Sequence, residues 1–94
     1  MIKHVVCFKL KDGESAEQTR DVLLSMQGNV PMLWGIEVGV DLLHASRSYD
    51  VILSVLLDDM DALEAYQNDA YHVDVVKKHM HAVMASSVSV DFEL

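Results

Sequence analysis

Apolar and polar positions interleave along the first stretch of the chain, IKHVVCFKL (2–10). Ile2, His4, Val6, Phe8 and Leu10 share one face of a strand, and Lys3, Val5, Cys7 and Lys9 share the other. The rhythm then changes. Ser15, with Gln18 three residues on, has the form of a capping box. Val22, Leu23 and Met26 carry a helical apolar stripe that stops near Gly28. Pro31 lies in the linker to a second strand, GIEVGVDL (35–42), whose two glycines suggest a bend or a close backbone approach. HASRS (44–48) reads as a turn. YDVILSVLL (49–57) is a third strand and is apolar on both faces: Tyr49, Val51, Leu53, Val55 and Leu57 on one, Ile52 and Leu56 on the other.

Asp58 or Asp59 then supplies an N-cap. ALEAYQ is helical, NDA interrupts it, and a second helix is predicted from about Tyr71 to Ala85. In SVSVDFE (87–93), Val88, Val90 and Phe92 alternate with Ser87, Ser89, Asp91 and Glu93, which marks a fourth strand. The order β-α-β-β-α-β over one domain, residues 1–94, is the ferredoxin-like plan. It is an α+β sandwich in which both helical segments lie on one face of a four-stranded antiparallel sheet.

Helices on one face leave the other bare. Val5, Cys7, Ile52 and Leu56 point toward that bare face and need cover. With 51% of only 94 residues hydrophobic, one small core cannot hide them all. The simplest cover is the same sheet of a second copy, so a homodimer joined through its sheet faces into a dimeric α/β barrel is expected.

A net charge of −8 makes nucleic acid a poor partner, since its affinity rests on Lys and Arg neutralising phosphates. No apolar stretch has signal-peptide or membrane-spanning length, which predicts a cytoplasmic protein that engages no membrane. Cys7 is the only cysteine and sits in an apolar run, where a buried structural thiol is expected.

Candidate chemistry centres on histidine. Three of the five histidines, His72, His79 and His81, crowd into residues 68–83. His79 and His81 point to different sides of a helix, and His72 and His79 stand about 10 Å apart along its axis. Such spacing does not suit one metal ion, and no metal or other cofactor is expected. Cations and imidazoles near that helix's C-terminus have a sufficient role in complementing its dipole. His72 follows the break at 68–70, where a helix N-terminus lowers an imidazole's pKa and favours a neutral base. Its other role would be a structural hydrogen bond tying the break to the sheet. His4, beside Val6 and Phe8, is either a hydrogen-bonded core residue or a pocket group. Tyr66 is a core aromatic or a donor to a developing oxyanion. Asp50 is expected to pair with Arg47 at a strand end. Serine-nucleophile, phosphate-loop and dinucleotide patterns are absent, and GIEVG lacks the helix a nucleotide loop requires.

Taken in order, IKHVVCFKLKD, VPMLWGIEVGVDL, SRSYDVILSVLLDDMDALEAYQNDAYHVDVV and VSVDFE resemble the stress-responsive A/B barrel domain family, within the dimeric α/β barrel superfamily. The resemblance spans residues 2–93 and implies a ferredoxin-like protomer and a homodimer joined through the sheets. One plant member of that family, olivetolic acid cyclase, closes a linear polyketide by a cofactor-free aldol condensation. Its working residues correspond to His4, Tyr66 and His72, and these are the catalytic candidates the resemblance implies. A further histidine and a further tyrosine of the cyclase fall at Val51 and near Met26. These departures count against the cyclase reaction itself and leave open a related pocket with a different ligand. Mostly apolar walls between sheet and helices, with His4, Tyr66 and His72 as polar groups, suit a small apolar, aromatic or polyketide-like molecule bound or transformed by cofactor-free acid–base chemistry. A non-catalytic stress-related or assembly dimer, and a cofactor-free monooxygenase or lactone isomerase, share the same fold and stand as alternatives.

Overall fold

A computed structural model describes all of residues 1–94. The elements follow the predicted order: β1 (Ile2–Leu10), α1 (Ala16–Leu24), β2 (Gly35–Val40), β3 (Val51–Leu57), α2 (Met60–Gln67), a π-helical stretch (His72–Lys77) running into α3 (Lys78–Val83), and β4 (Met84–Glu93). The four strands form one antiparallel sheet in the order β2-β3-β1-β4. Each β-α-β unit is thus split by a strand of the other, which is the ferredoxin-like arrangement. No helix is long and apolar enough to cross a membrane.

The caps lie where the polar residues foretold them. Ser15 Oγ accepts the Gln18 amide at 3.1 Å, and Asp59, not Asp58, accepts the Ala62 amide at 2.9 Å. Asp58 instead accepts the indole N–H of Trp34 at 2.7 Å.

Several boundaries move for reasons of pairing. β2 ends at Val40, because Asp41 turns its carboxylate to the amide of His44, whose φ is 56°. Leu42 and Leu43 consequently stand free of the sheet and exposed. β4 begins at Met84, three residues earlier than expected, because Leu10 pairs with Met84 across a bulge and the Lys11 amide donates to the Val83 carbonyl. The preceding helix therefore stops at Val83 instead of Ala85. Asp50 ignores Arg47. Its carboxylate accepts the Leu10 amide at 2.7 Å and faces Lys9 Nζ at 3.7 Å, since the β1–β3 register sets Lys9 beside it.

The two faces of the sheet diverge as the alternation demands. Phe8, Val51, Leu53, Val55 and Leu57 pack under the helices against Leu23, Met26, Tyr66, Val76 and Met80. Each such burial stabilises the fold by roughly 1.5–3 kcal/mol. On the other face nothing covers Ile52 (44% exposed), Val88, Val90 (64%) or Phe92. The Ile52 and Leu56 side chains lie over Gly39 and Gly35, where an added Cβ would come within 3.1 and 3.2 Å of them. Cys7 belongs to this bare face and is half-buried, not enclosed in the core as its apolar neighbours implied.

Candidate functional site

Between the sheet and the helical layer lies an open cavity of about 320 Å³, and it contains His4, Tyr66 and His72 together. Each reaches it from a different element. β1 presents His4 on the face it shares with Val6 and Phe8. α2 presents Tyr66 one residue before its C-terminus. His72 opens the π-helical stretch after the chain breaks at Asn68 and Asp69.

That break is built to hold His72. Asp69 Oδ2 accepts the His72 amide at 3.1 Å, in the manner of an N-cap. The Tyr66 carbonyl, in the last turn of α2, accepts from the Asp69 amide at 3.2 Å and also from His72 Nδ1 at 3.0 Å. A carbonyl can only accept, so Nδ1 carries the proton and Nε2 is the basic nitrogen of the neutral ring. The Tyr66 ring stacks on the imidazole with centroids 4.2 Å apart and planes 21° from parallel. Burial pushes the His72 pKa below its usual value, and the Lys77 ammonium adds to that. Hydrogen bonding to the Tyr66 and Gln67 backbone and the charge of Asp69 pull the other way without prevailing. The helix terminus is therefore not the main cause; desolvation is.

Lys77 stands near His72 for a reason of helix geometry. In a regular α-helix, position 77 would lie well round the axis from position 72. The π-helical stretch closes its hydrogen bonds over five residues, which brings 72 and 77 onto one side. Lys77 Nζ also donates to the Gln67 carbonyl at 3.1 Å.

His4 also meets the Tyr66 ring, in a T-shaped arrangement with centroids 5.8 Å apart. His4 Nδ1 is hydrogen-bonded to the Asp91 carboxylate on β4. The β1–β4 register pairs these two residues directly. The carboxylate orients the ring and holds the proton on Nδ1 when the ring is neutral. Asp91 went unnoticed in the sequence, where it is one polar position of an alternating strand.

Tyr66 is fully buried, and its hydroxyl donates to Met26 Sδ at 3.8 Å. Burial raises its pKa far above the usual value. Its ring, not its hydroxyl, is what it offers the cavity. Val51 and Met26, the positions of the cyclase's further histidine and tyrosine, are core residues here. The remaining walls are apolar, including Val6, Phe8, Leu23, Leu53, Val76 and Met80, with Gln67, Lys77, His81 and Ser87 as additional polar groups. His79 takes no part; its Nε2 meets Thr19 Oγ1 at 3.2 Å between α1 and α3. No three His, Cys, Asp or Glu side chains stand close enough together to hold a metal ion. A larger hollow of about 590 Å³ lies along the turn before α1 and the end of β2, but it is polar and contains none of the three candidates.

A family model described as the stress responsive A/B barrel domain matches residues 2–94. Among solved structures, a dimeric ferredoxin-like protein of unknown function from Thermobifida fusca is 28% identical. Its TM-score is 0.84, with 99% of this chain and 90% of that one covered. A dimeric ferredoxin-like protein of unknown function from Bacteroides fragilis is 22% identical, with a TM-score of 0.84 and coverage of 99% and 95%. The hydroxynitrile lyase of Passiflora edulis shares the fold at 13% identity, with a TM-score of 0.76 and coverage of 99% and 92%. No curated protein matches the chain.

Proposed function

The chain belongs to the stress responsive A/B barrel domain family, and we propose that it binds and transforms a small aromatic or polyketide-like molecule by cofactor-free acid–base chemistry. One observation carries this reading: an open, mostly apolar cavity holds a histidine whose Nε2 is left basic and whose ring is kept neutral by burial. A filled core at this place would have supported a purely structural dimer instead.

In this reading His72 Nε2 removes a proton beside the ligand's carbonyl group. His4, oriented by Asp91, exchanges a proton or a hydrogen bond with the ligand's oxygen. Tyr66 acts as a platform: its ring is stacked on His72 and its backbone carbonyl fixes the tautomer. The core positions of Val51 and Met26 argue against the cyclase's own reaction. The hydroxynitrile lyase supports the fold as a scaffold for enzymes, and its low identity supports no more than that.

The assembly belongs to the same proposal. Val90, Ile52 and Phe92 form a bare apolar face with Val5 and Cys7, and relatives of the same fold are described as dimeric. The protein works as a homodimer packed through this face.

Deuterium exchange at the α-carbon of aryl methyl ketones in D₂O, followed by proton NMR, tests the chemistry. Exchange catalysed by the wild type should fall about a hundredfold or more in His72→Gln. Equal exchange in the two proteins removes His72 from the role of base.

A further inference from the structure

The charge around this cavity runs against the charge of the chain. Asp and Glu outnumber Lys and Arg 15 to 7. Yet no carboxylate is among the residues that line the cavity, while three imidazoles, His4, His72 and His81, and the Lys77 ammonium are. The two acids that reach the site are already engaged. Asp91 is bound to His4 Nδ1, and Asp69 Oδ2 to the His72 amide.

Lys77 has no such engagement with an anion. One of its N–H groups goes to the Gln67 carbonyl, which leaves two donors free. His81 follows one α-helical turn later, on the same side and exposed at the mouth. An ammonium on a half-buried side chain and an exposed imidazole thus stand beside each other on a cavity whose other walls are mostly apolar. Long-range repulsion by the acidic surface is screened within about 8 Å at physiological salt, so the local groups decide what binds.

We propose that the natural ligand of this cavity is a small carboxylic acid in its anionic form, with its carboxylate at Lys77 and His81 and its apolar body against Phe8, Leu53 and Met80. This deepens the preceding reading and rests on its identification of the cavity as the binding site. A charge-assisted hydrogen bond from Lys77 supplies what a neutral head group lacks, and a cationic ligand finds no free carboxylate to meet. An aromatic acid and a short fatty acid share this chemistry.

Titration calorimetry on the full chain with four probes separates the cases: 3-phenylpropanoate, octanoate, 3-phenylpropanamide and 3-phenylpropylamine. At least one acid should bind about tenfold or more tightly than the amide, and the amine should not bind. Lys77→Gln should erase the preference for acid over amide, and Lys77→Glu should abolish acid binding, with far-UV circular dichroism unchanged in both. The better of 3-phenylpropanoate and octanoate names the body of the ligand. The inference is overturned by an amide that binds as well as the acids, by an acid preference that survives Lys77→Glu, or by the absence of binding of either acid. Its failure is separable from that of the acid–base reading. Lys77-dependent acid binding without His72-dependent exchange of ketones leaves the inference standing and removes the chemistry. Exchange that depends on His72, with no preference for acids, does the reverse.

Discussion

The helix-covered face of the sheet and its bare face are made by the same strands, one residue out of step. Leu53 is 2% exposed and its neighbour Ile52 is 44% exposed. Both are large and apolar, so the side chain does not explain the difference. The covering layer does. Under the helices, β1 and β3 meet a packed apolar layer, beside which lies the cavity holding His4, Tyr66 and His72. On the other side, Ile52 and Leu56 lie over two glycines and leave an exposed apolar surface suited to another sheet. One face is shaped around a void; the other is shaped for contact. A chain this short buries too little surface to cover both faces of its sheet from within.

Charge placed on adjacent residues breaks the comparison most forcefully. Leu53→Asp buries an unpaired carboxylate and should cost more than about 4 kcal/mol, seen as loss of a cooperative thermal transition. Ile52→Asp should leave the protomer folded by circular dichroism and shift light scattering from the mass of two chains to that of one. A folded Leu53→Asp, or a dimeric Ile52→Asp, reverses the assignment of the faces.

The covered side should also respond to pH in a way the bare side does not. Unfolded His72 titrates near its ordinary value of 6.5, and the folded value is lower. Between the two, the unfolded chain binds the extra proton, so stability is greatest above pH 6.5 and declines as pH falls through that window. His72→Gln lacks this term. The melting temperature of the wild type relative to His72→Gln should therefore drop between about pH 7.5 and about pH 5; parallel curves would show that the imidazole is not desolvated.

Gly39→Ala sharpens the picture with the smallest change. The new Cβ meets Cγ2 of Ile52, the methyl at its β-branch, at 3.1 Å. Better strand propensity offsets that crowding, so the protomer's stability should stay within about 0.5 kcal/mol. Dimer dissociation measured by dilution should nevertheless become easier, because the added methyl displaces Ile52 on the bare face.

The chain's own periodicities determined the four strands, the helical segments and the existence of two apolar faces, because alternation and capping depend on backbone geometry within a few residues. Ser15 and the acidic pair at 58–59 marked helix starts in this local way. The break before His72 was equally readable, while the grouping of His4, Tyr66 and His72 came from the family resemblance and not from any local pattern. Tertiary structure decided the rest. Asp91 meets His4 only through the register of β4 against β1, contacts 87 residues apart in sequence that no local pattern encodes. Asp50 took Lys9 over Arg47 by the same kind of pairing. The Tyr66 hydroxyl turned to Met26 because the turn after α1 brings that side chain into the core. The π-helical stretch that swings Lys77 to the side of His72 is a compromise of packing, with no composition of its own. Periodicity records which face of an element is apolar. What stands opposite that face depends on contacts between residues far apart in the chain, and those exist only once the chain has folded.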